Sequence, residues 1–243
     1  MNARATLATA RRVLWQVRHD PRTIALIVIV PCLLLGLVAW MFNGTPVLDT
    51  AGPLLLGVFP LFVMFLVTSV TMLRERLGGT LERLMTMPVR RGDVVVGYGL
   101  AFGLLATLQG VVLVAVTVGL YGMNVAGPLW AVILIAVLDA VLGTALGLAS
   151  SALARTEFQA IQMLPVIIIP QLILCGLIMP RDQMPAVLEA ISVVLPLTYV
   201  VDAMKTLSAE TGVAGIWGDV AVIAGFIVVA VAVASTTLRR RTA

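Results

Sequence analysis

Long apolar stretches dominate the pattern of hydrophobic and polar positions along this chain. Six segments with few or no charges are each long enough to cross a bilayer, which takes about 20 residues for roughly 30 Å of hydrocarbon. They cover residues 23–42, 54–73, 94–121, 130–153, 160–179 and 220–238. The pattern therefore predicts an all-α integral membrane protein with six transmembrane helices in a single domain, residues 1–243.

The residues before the first span form an amphipathic pattern. In a helix over residues 3–19, one face carries aliphatic side chains and another carries arginines, namely Leu7, Ala10, Leu14 and Val17 against Arg4, Arg11 and Arg18. This predicts an N-terminal interfacial helix within residues 1–22, lying in the headgroup layer. Trp15 falls on the basic side. A basic flank that only orients the first span explains the same charges.

The stretch between spans five and six, residues 180–218, is too polar at its ends to form a clean span. It contains an apolar run over residues 186–195, which Pro196 ends. Apolar runs of about 10 to 14 residues are typical of re-entrant or interfacial segments. The pattern predicts short re-entrant outer helices that dip into the outer leaflet and cap the bundle.

Two glycine pairs match the G-x-x-x-G spacing, Gly99 with Gly103 and Gly143 with Gly147. Small residues at this spacing let membrane helices approach closely. We expect both pairs to serve packing within the chain.

The composition supports a membrane protein, and the distribution of charge predicts which side of the membrane its loops and termini face. Charged residues make up only 12% of the chain, whereas a soluble domain carries about 25%. Lys and Arg in short loops stay on the cytoplasmic side, and 14 of the 16 lie on one face of the predicted topology. Both termini are therefore expected in the cytoplasm. The net charge of +4 follows from this topology and does not indicate nucleic-acid binding. Fifteen of the 16 basic residues are Arg, which suggests a high-GC bacterial genome, and with the six spans we expect a multi-pass protein of the bacterial plasma membrane.

Few residues offer catalytic or metal chemistry. His19 is the single histidine, and Cys32 and Cys175 lie in separate spans without C-x-x-C spacing, so we expect no metal site. A phosphate-binding P-loop needs G-x-x-x-x-G-K-[ST], but Met204 stands before the single lysine, Lys205, where the second glycine should be. We therefore expect neither enzyme activity nor ATP binding in this chain, and a membrane-embedded enzyme is disfavoured.

One carboxylate lies well inside a span, Asp139 in span four. A charged carboxylate at mid-bilayer costs about 2.5 to 3.5 kcal/mol on insertion scales, so such residues usually face protein or water. Asp139 is expected either to contact substrate or a proton pathway, or to form a structural hydrogen bond between spans.

The loop between spans two and three, residues 74–93, predicts a short helix. Gly78 and Gly79 break the preceding helix, Thr80 can cap a new one, and Pro88 ends it. Its apolar side chains share one face, which suits docking into a groove of a cytoplasmic partner; they are Leu81, Leu84 and Met85. A solvated basic loop is the alternative.

This loop reads R-E-R-x-x-G-T-L-E-R-L-x-x-x-P-V over residues 74–89, and it resembles the signature loop of type 2 ABC exporter permeases. The daunorubicin-resistance-type drug and lipid exporters are the most similar group. Two further stretches are similar to this family: residues 18–22 followed by Pro31, and residues 176–185 continuing to 196–199. The resemblance extends from about Arg11 to Lys205.

The resemblance implies a permease that couples to a separate ATP-binding subunit, present in two copies and holding ATP and Mg. The residues expected at that contact are Thr80, Leu81, Glu82, Arg83, Leu84 and Met85. It also implies a dimer with a second permease, identical or homologous, and a cleft lined by spans two and five. The substrate would be a small amphipathic drug-like molecule or lipid, exported from the cytoplasm or inner leaflet.

Polar side chains in those two spans are candidates for the substrate pathway, together with Asp139. They are Thr68 and Ser69 in span two and Gln162 and Gln171 in span five. Such side chains can equally bond to their own or to neighbouring helices. A different class of function is an ion-coupled secondary transporter, for which Asp139 would be the coupling carboxylate.

Overall fold

A computed structural model describes residues 3–42, 45, 47–79 and 91–237 of the chain. All regular structure within these residues is helical, so the predicted all-α class is confirmed. The α-helices are α1 (Ala3–Arg18), α2 (Pro21–Met41), α3 (Val47–Leu56), α4 (Phe59–Leu77), α5 (Arg91–Gly119), α6 (Leu129–Ser150), α7 (Glu157–Leu174), α8 (Ala186–Val193), α9 (Pro196–Ala209) and α10 (Trp217–Thr237). Short 3₁₀ turns cover Arg181–Gln183 and Ala214–Ile216.

Six helical segments of the described residues are long and apolar enough to cross a membrane, which confirms the predicted number of spans. They are Pro21–Met41, Val47–Leu77, Gly92–Gly119, Leu129–Ser150, Glu157–Leu174 and Ala214–Thr236. The hydrophobic pattern located these spans because the thickness of the hydrocarbon layer sets their length.

Each span departs from its predicted limits by at least one residue, and span six begins at Ala214 rather than at residue 220. Spans two and five show the physical reasons most clearly. Span two begins at Val47 rather than at residue 54, and it consists of α3 and α4 with a break at Gly57 and Val58. Asp49 and Gly52 interrupt the apolar pattern there, yet both lie inside α3. Span five ends at Leu174 rather than at residue 179, because Gly176 has a φ of 87°, which only glycine adopts easily.

Helices α4 and α6 form the centre of the bundle. A Cβ atom on Gly143 would lie 2.3 Å from the backbone oxygen of Leu61, and one on Gly147 would lie 2.7 Å from that of Phe65. The two backbones therefore touch along this line. Gly99 and Gly103 differ, since a Cβ on either would meet nothing within 4 Å. Only the second G-x-x-x-G motif packs helices within the described chain.

Helix α1 packs beside the start of α5, and only Ala10 and Val17 of the predicted aliphatic face are buried there. Its buried residues are Thr6, Thr9, Ala10, Val13 and Val17, whereas Leu7 is 63% exposed. A Cβ on Gly97 of α5 would lie 2.7 Å from the Cβ of Thr9. Small side chains thus allow a close approach that the larger aliphatic residues would prevent.

The junction between α1 and α2 is fixed by Asp20, which caps α2. Its carboxylate accepts hydrogen bonds from the backbone N–H groups of Arg22 and Thr23 and from the Thr23 hydroxyl. The hydroxyl bond lowers the pKa of the Asp20 carboxyl below its ordinary value. The cap therefore persists at neutral pH.

Three of the four tryptophans lie at one end of the bundle, whereas Trp15 lies beside Arg18 at the other. Trp40, Trp130 and Trp217 lie at one end, and the rings of the last two are 6.5 Å apart. The opposite end carries arginines, including Arg22 and Arg74. Indole rings favour the membrane–water boundary and arginines the cytoplasmic flank. This distribution is typical of a bundle that spans a membrane.

Candidate functional site

The predicted coupling residues, Thr80 to Met85, lie outside the residues that the structure describes. It does describe the residues on either side of this segment, here called the base: the last turn of α4, Gly78 and Gly79, and the start of α5.

Ion pairs tie this base to its neighbours. The Arg12 guanidinium of α1 lies 3.3 Å from the Glu75 carboxylate of α4 and also donates to the Tyr98 hydroxyl of α5. On the other side of α4, Arg74 lies 2.8 Å from Glu157 at the start of α7. The Arg12–Glu75 pair is the more sheltered of the two, and shelter strengthens an ion pair. The end of α4 is thus linked to α1, α5 and α7.

Asp139 lies fully buried in α6, where its Oδ2 accepts a hydrogen bond of 2.9 Å from the backbone N–H of Leu61. Leu61 belongs to the first turn of α4, whose N–H groups have no partners within the helix. Val58 at the N-cap position makes no side-chain cap. Asp139 therefore caps, from a neighbouring helix, a helix that begins in the middle of span two.

The polar residues of span two, Thr68 and Ser69, also lie at the contact between α4 and α6. Ser69 is buried, and its hydroxyl accepts a bond of 3.3 Å from Ser150 of α6. Thr68 is buried beside Gly147, and its hydroxyl has no hydrogen-bond partner among the described residues. Both lie in the seam between α4 and α6, together with Asp139.

The two glutamines of α7 lie on different faces. Gln171 is buried; its amide donates to the Ile167 carbonyl at 2.9 Å and accepts from the N–H of Leu197 at 3.4 Å. Because Leu197 is in the first turn of α9, Gln171 also caps a neighbouring helix. Gln162 is exposed on the side of α7 that faces away from the bundle. The structure therefore brings three candidates to the α4–α6 seam and leaves Gln162 apart; their role in transport stays a prediction.

The exposed face of α7, within candidate span five, carries polar groups among aliphatic residues such as Val166 and Ile169. Besides Gln162 it presents Pro165 and Pro170. Each proline lacks an N–H, so the carbonyls of Ile161 and Val166 lose their usual helical donors. Between their ends, the exposed residues of α2 and α10 are aliphatic or glycine. Polar groups are costly in hydrocarbon, so this face of α7 suits protein or water better than lipid.

Two polar features of the structure were not predicted from the sequence. Gln109, in the middle of α5, is buried, and both polar atoms of its amide lack a hydrogen-bond partner among the described residues. The sequence indicated this residue only as an amide side chain in the middle of a predicted span that has no charged residue. At the tryptophan end, Arg181 lies 2.7 Å from Asp202 and also donates to Ser192, which fixes α8 to α9. Lys205 donates to the carbonyl of Gly176.

No group of three or more His, Cys, Asp or Glu residues in the described ranges could hold a metal ion.

Known proteins similar to this chain are membrane transport components. A family model described as ABC-2 type transporter matches residues 4–207. ABC transporter G family member 20 of Dictyostelium discoideum is 33% identical over 58% of this chain and 19% of its own length. The probable multidrug ABC transporter permease YbhR of Escherichia coli is 26% identical over 64% of this chain and 42% of its own length.

The linearmycin resistance permease protein LnrN of Bacillus subtilis is 28% identical over 72% of this chain. The chain spans less than half the length of each of these relatives.

Proposed function

This chain belongs to the ABC-2 type transporter family, and we propose that it is the permease subunit of an ATP-binding cassette exporter. The cargo is an amphipathic drug-like molecule or lipid, taken from the cytoplasm or inner leaflet. ATP and Mg are bound and ATP is hydrolysed by a separate subunit in two copies, and this chain is not itself an enzyme. The names of two relatives, a probable multidrug permease and a resistance permease, support this class of cargo.

The exposed face of α7 is the observation that carries the proposal. It adds Gln162 and two prolines to exposed aliphatic residues, whereas the exposed residues of α2 and α10 between their ends are aliphatic or glycine. In the proposed dimer, this face meets the second permease, identical or homologous, and lines the cleft. Polar groups there can orient an amphipathic cargo while its apolar part stays in contact with Val166 and Ile169.

The base of α4 supports coupling to the ATP-binding subunit. Residues 80–85 follow directly on Gly79, and the turn before them is held by the Arg12–Glu75 and Arg74–Glu157 pairs. A push on the coupling segment would therefore reach α1, α5 and α7 together. In this arrangement the arginine-rich end and both termini face the cytoplasm of a bacterial cell, and the α8–α9 pair, bent by 91°, re-enters the outer leaflet.

Replacing both Leu81 and Leu84 with aspartate is expected to abolish co-purification of the ATP-binding subunit, because two carboxylates cannot enter an apolar groove. Leu153→Asp is the matched control, since Leu153 is 70% exposed just beyond the cytoplasmic end of α6. The measurement is the ratio of the two subunits after affinity purification from native membrane. Retention of the partner by the double variant, or equal loss with Leu153→Asp, would argue against docking through this segment.

A cysteine at Val166 is expected to form a cross-linked dimer with a short bifunctional thiol reagent, in a variant that lacks Cys32 and Cys175. Val166 is 65% exposed on the polar face of α7. Val228→Cys on α10 is the control, since Val228 is 69% exposed on an aliphatic face that should meet lipid. Gel electrophoresis reads the result. Cross-linking at Val228 but not at Val166 would contradict the placement of the dimer cleft at α7.

A further inference from the structure

The exposed face of α1 combines aliphatic, indole and guanidinium groups. Leu7, Arg11, Leu14, Trp15 and Arg18 follow the i, i+4, i+7, i+8, i+11 spacing of one helix face and line a shallow groove of about 340 Å³. Trp15 is 60% exposed, and its ring lies 5.9 Å from the Arg18 guanidinium carbon. The larger apolar side chains of this face thus lie beside its arginines, while the buried face of α1 carries threonine, alanine and valine.

The charge of this face is not balanced by protein. Within the described ranges, neither Arg11 nor Arg18 has a carboxylate partner, whereas Arg12, on the other side of the helix, pairs with Glu75. A guanidinium binds phosphate through several N–H donors in a plane. The two arginines are suited to an anion that comes from outside the chain.

The position of α1 indicates where that anion lies. The opposite face of the helix packs on Val94, Val95 and Tyr98, in the first turns of α5, where the span begins. Further along α5, Leu100 and Leu104 are exposed. The groove is thus at the level where headgroups give way to acyl chains, the depth at which helices with Trp, Leu and Arg on one side usually bind.

We propose that this face is a binding site for an anionic phospholipid, with its phosphate between Arg11 and Arg18. The acyl chains lie over Leu7, Leu14 and the indole of Trp15. The site uses the membrane orientation of the proposed function but neither its cargo nor its ATP coupling, so the two can fail separately.

Trp15 itself can report on the lipid. In a variant in which Trp40, Trp130 and Trp217 are phenylalanine, the full chain is placed in vesicles that contain brominated phosphatidylglycerol or brominated phosphatidylcholine, and quenching of Trp15 gives the relative affinity. Each arginine near a membrane surface adds about fivefold to the attraction of anionic lipid. We expect phosphatidylglycerol to be preferred roughly fivefold or more, and the preference to fall to about one in the Arg11→Gln, Arg18→Gln variant.

Two matched variants test the site itself. Arg22→Gln, Arg155→Gln removes the same charge elsewhere at the cytoplasmic end and should keep the preference, and Arg11→Lys, Arg18→Lys should keep most of it. An unchanged preference in the Arg11→Gln, Arg18→Gln variant would overturn the proposal. Equal loss of the preference in the Arg22→Gln, Arg155→Gln variant would also overturn it. The absence of any preference in the wild type would overturn it too, and would indicate that this face contacts the ATP-binding subunit instead.

Discussion

Gly143→Ala is expected to destabilise the protein by about 3 kcal/mol, the upper part of the range for overpacking a close contact. The added methyl group would lie 2.3 Å from the Leu61 oxygen and 2.7 Å from its Cα. Both are backbone atoms, so no side-chain rotation can relieve the clash, and α4 must move away from α6. That movement also breaks the hydrogen bond between Asp139 and the Leu61 N–H, one turn away. Thermal unfolding in detergent measures the change.

Gly99→Ala is the control for this prediction, because the same substitution in the other G-x-x-x-G motif meets nothing within 4 Å. Its melting temperature should stay within error of the wild type or rise slightly, since alanine favours helix more than glycine does. If the Gly99 variant lost as much stability as the Gly143 variant, or the Gly143 variant lost none, the close contact of α4 and α6 would be wrong.

The six spans were predictable because their signal is local: a run of apolar residues long enough for the hydrocarbon layer. The start of α3 was not, since Asp49 is satisfied by a distant residue, accepting a bond of 2.7 Å from the N–H of Asn124. The buried face of α1 was missed for a similar reason. Its packing depends on Gly97, which no pattern within α1 contains.

The candidate site shows the same limit more strongly. Asp139 and Leu61 are 78 residues apart in the chain, and Gln171 and Leu197 are 26 apart. Both polar side chains are unusual within their spans, which the sequence shows. The helix ends that they cap lie far away along the chain, so no local pattern predicts these contacts. The sequence also did not distinguish the two G-x-x-x-G motifs, because spacing does not say which helix faces a glycine.

Asp139→Asn is expected to fold and transport nearly as well as the wild type, because the asparagine Oδ1 can still accept the Leu61 N–H. Asp139→Leu removes the acceptor and leaves that buried N–H without a partner, which costs about 1 to 3 kcal/mol. The two variants therefore separate the capping role from a titrating role. A coupling carboxylate in an ion-driven transporter has to change its charge, which asparagine cannot do, so that class predicts complete loss of transport in both variants.

Export of a fluorescent amphipathic drug from proteoliposomes tests the central claim, that the energy comes from ATP hydrolysed by a partner. The vesicles contain the chain with its ATP-binding subunit, or the chain alone, as wild type and as Asp139→Asn. We expect ATP to drive export in both forms of the complex and an imposed proton gradient to drive none in the chain alone. Movement by the chain alone under a proton gradient, abolished by Asp139→Asn, would contradict the account.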